Sequence, residues 1–281
     1  MVGRPFADAI GLLKKPVLWL PGLYAGALIA AFIWLAFSGG EFIAGKLLFL
    51  GAVLFPFFIA GALGCMKEGE YTISLFGRSA IKFFFPVLLP VVVASTVLIL
   101  LLILFSIPFS IAGQNDPSMI AGLFIGIMIP VLIFTFFADN VAVSEGLAIF
   151  ATLKQSMMIA SRSITTIITC VIISMVTAGA LGMVLATVWG MILADKFTQY
   201  MDLGAAEQQK IFAGFTLADW QGILGPEGLI VTAGMLGVSL IILVPFFIVY
   251  KQQCYLSALS VPAPVIPQSG EYDEKGRWYK Y

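Results

Sequence analysis

Histidine is absent from all 281 residues, and charge is scarce: 11% of the chain is Asp, Glu, Lys or Arg. The first absence excludes His-ligated zinc, haem and copper, Ser-His nucleophile systems and an imidazole pH switch. Cysteine is also rare. Cys65, Cys170 and Cys254 show no CxxC spacing, so they read as small apolar fillers. No glycine-rich phosphate loop, HExxH or GxSxG motif occurs, so no cofactor and no metal is expected. Fifteen basic and fifteen acidic residues cancel, which gives nucleic acid no attractive surface.

What fills the chain is apolar side chain, 60% of residues, at a mean hydropathy of +1.05. Soluble domains carry about 45–50% apolar and about 25% charged residues, so the expected solvent is lipid. Crossing ~30 Å of hydrocarbon takes ~20 helical residues. Six stretches meet that length without a formal charge: 16–37, 47–66, 86–111, 119–138, 164–193 and 229–250. Their runs lack period-2 alternation, which excludes barrel strands. The first is expected to be retained as a span, because its apolar run continues to Phe37, past any signal-peptide cleavage site.

The basic residues set an orientation. With the N-terminus inside, Arg4, Lys14, Lys15, Lys67, Arg78, Lys82, Lys154, Arg162, Lys251, Lys275, Arg277 and Lys280 are cytosolic. Only Lys46, Lys196 and Lys210 lie outside. Twelve basic and eight acidic residues give a net +4 inside; three basic and seven acidic give −4 outside. Both termini are thus expected in the cytosol, and the protein in the cytoplasmic membrane.

The even spans repeat a proline-centred motif: Phe55-Pro56-Phe57-Phe58-Ile59, Ile129-Pro130-Val131-Leu132-Ile133 and Val244-Pro245-Phe246-Phe247-Ile248. Each is expected to end nine residues later, at Cys65, Asp139 and Cys254. Proline frees a carbonyl in a membrane helix and commonly bends it, so Pro56, Pro130 and Pro245 are expected kinks. Segments of helical periodicity precede the odd spans. Phe6, Ile10, Leu13 and Val17 mark the first; Ile73, Phe76, Ala80 and Phe83 mark the second, opposite Ser74, Arg78 and Lys82. The third covers about 143–161. Such helices suit the inner membrane interface.

The expected architecture is an all-α polytopic membrane protein with six transmembrane helices in three helix-hairpin units, each preceded by a cytosolic interfacial helix. The units cover about 1–68, 69–140 and 141–260. An outer loop spans 195–228, with a short helix over Glu207 to Phe215 and a turn at Gly225-Pro226. An extended cytosolic tail covers 261–281.

Small residues recur every fourth position along span five: Thr166, Cys170, Ser174, Ala178, Gly182, Ala186, Gly190 and Ala194. Gly22, Gly26 and Ala30 repeat the device in span one, and Gly122 and Gly126 in span four. In lipid, small residues let helix backbones approach. The ladder is either an internal crossing or a seam for a partner, with Ser174, Ala178, Gly182, Ala186 and Gly190 at its centre. Arg78, Asp139, Glu145 and Arg162 could gather as an inner-face polar cluster, with Glu68, Glu70 and Lys154 nearby.

Two stretches carry a family resemblance: Phe6-Ala7-Asp8-Ala9 to Lys15-Pro16, and Val141-Ala142-Val143-Ser144-Glu145-Gly146 leading to Lys154-Gln155-Ser156. They resemble a group of prokaryotic six-helix membrane proteins, distantly similar to the membrane domain attached to some glycerophosphodiester phosphodiesterases. The resemblance implies a membrane fold and brings no catalytic residues. The layout is also similar to that of mitochondrial carriers, whose Pro-x-acid-x-x-base signature on odd spans is missing here.

The expected role is a structural, assembly or interaction component without catalytic activity; the alternative is a carrier or channel for a neutral or lipidic solute. Expected partners are membrane lipids and either other membrane proteins or a second copy of the chain.

Overall fold

The computed structural model describes residues 3–111, 117–201, 204–261, 270–272 and 278–280. The Pro-rich start of the tail (262–269), residues 273–277 and the loop acids Asp116 and Asp202 lie outside them.

The architecture is all-α and polytopic. A short helix α1 (Gly3–Leu12) and a 3-10 turn (Pro16–Trp19) lead into α2 (Leu20–Phe37), followed by α3 (Glu41–Glu68) and α4 (Ile73–Ile111). Next come α5 (Pro117–Thr135), α6 (Ala138–Glu145), α7 (Ile149–Arg162) and α8 (Ile164–Ile192). Two short helices, α9 (Ala194–Met201) and α10 (Ala205–Ala213), precede α11 (Leu217–Leu259). In the tail, β1 (Gly270–Tyr272) pairs antiparallel with β2 (Trp278–Lys280), where the sequence alone suggested only extended chain. Among the described residues, six helices are long and apolar enough to cross a membrane.

Three boundaries differ from the sequence reading, each for a local reason. The amphipathic segment before span three is continuous with it, because no Gly–Pro break separates Ile73 from Pro86; α4 runs 39 residues, about 58 Å. The third amphipathic segment starts at Ile149 because Gly146, at φ +65°, ends α6 in the left-handed conformation that glycine takes without a Cβ penalty. The sixth span does not stop at Tyr250; α11 continues to Leu259. Gly225 breaks α11 near its start, where the sequence placed a turn.

The helices form an arc in the order α8, α11, α2, α3, α4, α5. At the end that carries Lys15, Lys67 and Arg162, α1, α6 and α7 close the arc, and the chain packs tightly. Phe137, Val141, Ile167, Val249, Tyr250 and Tyr255 are fully buried there. Phe6 of α1 meets the Phe246 and Tyr250 rings edge-on at 5.9 and 6.0 Å. At the far end the helices separate. Among the described residues no substantial packing joins α5 to α8, and Phe42, Phe49, Leu104, Met175 and Met183 stand exposed. An aromatic cap of Phe197, Phe212, Phe215 and Trp220 gathers α9, α10 and the start of α11 there.

Candidate functional site

The site begins at the break between α5 and α6. Ser156 Oγ of α7 donates to the Phe134 carbonyl, near the α5 terminus, at 2.8 Å, which satisfies one of the orphan acceptors of a helix end. The chain turns at Phe136-Phe137 and starts α6, placing Asp139 in its first turn, where a carboxylate is favoured by the helix dipole. Across the bundle, α11 runs on past Pro245 and presents Lys251. Lys251 Nζ donates to both Asp139 oxygens, at 2.6 and 2.8 Å. This is the one salt bridge among the described residues, and its side chains keep 25% and 15% of their exposure.

The next residue on each helix adds a second rung. Asn140 Nδ2 donates to Gln252 Oε1 at 2.6 Å, in a site where Asn140 is fully buried. Among the described residues, Asn140 Oδ1 has no partner. Leaving such an acceptor unsatisfied costs roughly 1–3 kcal/mol. The end of α6 is tied to its neighbours as well: Lys67 Nζ donates to the Val143 carbonyl at 2.9 Å, and Tyr255 OH to Glu145 Oε1 at 3.3 Å. Just outside the spans, burial pushes the Tyr71 phenol above its ordinary range, with the Lys15 ammonium 5.6 Å over its ring.

The ion pair lies inside the bundle rather than at its rim. Ser163, next to Arg162 at the start of α8, donates to the Ala258 carbonyl, so these two residues share a level. Lys251 is seven residues from Ala258, about 10 Å toward the far end at 1.5 Å per residue. The sequence places Lys251 just beyond the sixth apolar run, at the first charge after it. In the structure Lys251 lies within α11, which continues to Leu259. A cavity of about 220 Å³ opens above the pair between α4 and α5.

Of the four residues of the expected polar cluster, only Asp139 and Glu145 share an element, and they have separate partners. Arg78 and Arg162 are exposed and stand apart from the pair. Asp139 and Lys251 are 112 residues apart, so no local spacing could signal their meeting. The cue in the sequence was the length of the sixth apolar run, read as stopping at the first charge.

The small residues divide into two groups. A Cβ at Gly22 would overlap the Ile241 carbonyl oxygen, and one at Gly26 would lie 2.5 Å from the Gly237 oxygen. Ile241 is four residues before Pro245, so its carbonyl is the one that lacks a helical N–H. Gly22 lets α2 lie directly against it. Gly61 and Gly64 similarly admit Phe76 and Ser79 of α4, a close crossing that the sequence reading missed. On α8, by contrast, Cβ atoms at Gly182 and Gly190 would meet nothing within 4 Å, and the same holds for Gly122 and Gly126 of α5. Gly182 and Ala186 line an open groove of about 310 Å³ against Thr232, Met235 and Ser239 of α11. Ser174 and Ala178 are half-buried.

Pro56 and Pro245 are buried and Pro130 is exposed; α3, α5 and α11 continue helically through them. Cys170 of α8, Cys254 of α11 and Cys65 of α3 are buried free thiols.

No protein-family model, curated protein or solved structure matches the chain.

Proposed function

We propose that the chain is a non-enzymatic assembly component of the cytoplasmic membrane that docks another transmembrane helix along α8, with both termini in the cytosol. The observation that carries the reading is the unfilled small-residue face. Gly22 and Gly26 of α2 and Gly51, Gly61 and Gly64 of α3 are occupied by the protein's own helices, whereas Gly182 and Gly190 admit a neighbour that no described residue supplies. The groove between α8 and α11 gives side chains of that neighbour a seat, bordered by the bond from Trp189 Nε1 to Thr232 Oγ1 at 2.8 Å. Small-residue ladders are self-complementary, so a second copy of α8 is the simplest occupant. The amphipathic α1 and α7 would lie in the inner interface. Glu68-Gly69 and Glu145-Gly146, both ending helices with a left-handed glycine near a unit boundary, support a repeated plan.

The test is extraction in native lipid followed by mass measurement and in-membrane cross-linking from a cysteine placed at Ala186. A larger complex, lost on Gly182→Leu while helix content and melting stay unchanged, is the expected result. A monomer in native lipid that gives no cross-link rejects the reading.

A second reading, a carrier of lipidic solutes, is favoured by the intramembrane ion pair beneath an open cleft.

A further inference from the structure

The Asp139–Lys251 pair has properties that internal packing does not use. It lies about 10 Å inside the level of Ser163, by the helical rise. Its side chains nevertheless stay partly accessible. Ionisable groups at such depth are costly and mark sites where something polar is handled. The cleft above the pair is apolar, walled by Val91, Leu98, Val131 and Leu132, with Ser95 of α4 as a hydroxyl near the path. The other nearby hydroxyl, on Thr135, is already committed to the Val131 carbonyl at 2.7 Å. With α5 and α8 unjoined at the far end, the arc opens sideways, and in a membrane the medium on that side is hydrocarbon.

The chemistry of the floor then selects the ligand. It presents one carboxylate and one ammonium, net zero. A ligand of a single charge would satisfy one group and leave the other desolvated and unpaired, which is strongly unfavourable. Lys251 uses two of its three N–H donors on Asp139, leaving one to donate outward. Asp139 keeps acceptor capacity beyond the bonds from Lys251 and its neighbour's N–H.

We propose that this pair is the head-group site for a zwitterionic membrane amphiphile: a primary ammonium on Asp139, a phosphate on Lys251, and an apolar tail in the cleft between α4 and α5. Binding exchanges one internal ion pair for two intermolecular ones and requires no transport. It concerns a different face from α8 and stands whether or not α8 docks a partner.

The experiment is native mass spectrometry of the full chain, equilibrated with phosphatidylethanolamine or phosphatidylglycerol of matched chains. Phosphatidylethanolamine should be retained at least tenfold over phosphatidylglycerol. Asp139→Leu combined with Lys251→Met should abolish that preference. Because both charges leave together, this variant keeps the helix content and melting that a single substitution could lose, and a circular-dichroism melt checks it. Exchanging the pair, Asp139→Lys with Lys251→Asp, should retain the preference within threefold. Equal retention of the anionic lipid overturns the proposal, as does a preference unchanged in the double variant. Competition by water-soluble O-phosphoethanolamine at concentrations equal to the lipid also overturns it, since the tail then contributes nothing.

Discussion

A methyl group added at Gly22 of α2 would collide with the backbone of α11, while one added at Gly182 of α8 would meet open space. Both glycines sit at four-residue spacing with other small residues, and both lie in helices of similar apolar character. They differ in what the rest of the chain places opposite them. The basic end of the arc, closed by α1, α6 and α7, resembles a protein interior. The far end resembles a surface waiting on lipid or on another helix. A small-residue stripe therefore says how near a neighbour can come and leaves open whether this chain provides one.

Six substitutions can break or sharpen the contrast. The largest effect is expected for Lys251→Met, which strands Asp139 without its partner. Breaking a buried pair costs about 3–5 kcal/mol, and partial exposure here puts the expectation near the lower bound. Adding Asp139→Leu should recover most of the loss in a denaturation series in detergent; a further drop would mean that the pair itself stabilises the basic end. Gly22→Leu is expected next, at about 1–3 kcal/mol, since neither the Ile241 carbonyl nor Pro245 can move aside. An unchanged melting temperature would show that α2 and α11 can separate freely, which would erase the contrast.

Asn140→Ala removes the buried bond to Gln252 but also the orphan Oδ1, so about 1–2 kcal/mol is expected by the same denaturation series. Gly146→Ala strains a left-handed cap and should cost about 1 kcal/mol, read as a lower melting temperature. The smallest effect on the isolated chain belongs to Gly182→Leu, within about 0.5 kcal/mol by melting, as for other surface changes. A large loss of stability there would place α8 in the tightly packed class and remove the basis for docking.

Much of the fold was legible because membrane helices declare themselves through length and hydropathy. Gly22 and Gly26 were legible as a close-approach surface because four-residue spacing puts them on one helix face. The boundaries that slipped did so for local reasons. The periodicity before Pro86 gave no stop signal, and α4 absorbed the amphipathic segment. Lys251 reads as the end of a span because a charge usually marks one, yet α11 continues past it and pairs it with Asp139. Gly61 and Gly64 are three apart and outside a four-residue ladder, so only the neighbouring Phe76 and Ser79 reveal their use.

The sequence by itself determined that the chain forms six helices long and apolar enough to cross a membrane. That follows from the cost of placing backbone polar groups and charges in hydrocarbon, which acts on each segment separately. Tertiary structure alone decided which small faces were consumed, that Lys251 reaches Asp139, and that the arc stays open between α5 and α8. Those outcomes depend on helix order and on contacts between residues more than a hundred positions apart. In lipid, helix association rests on packing detail rather than apolar burial, so composition cannot specify it.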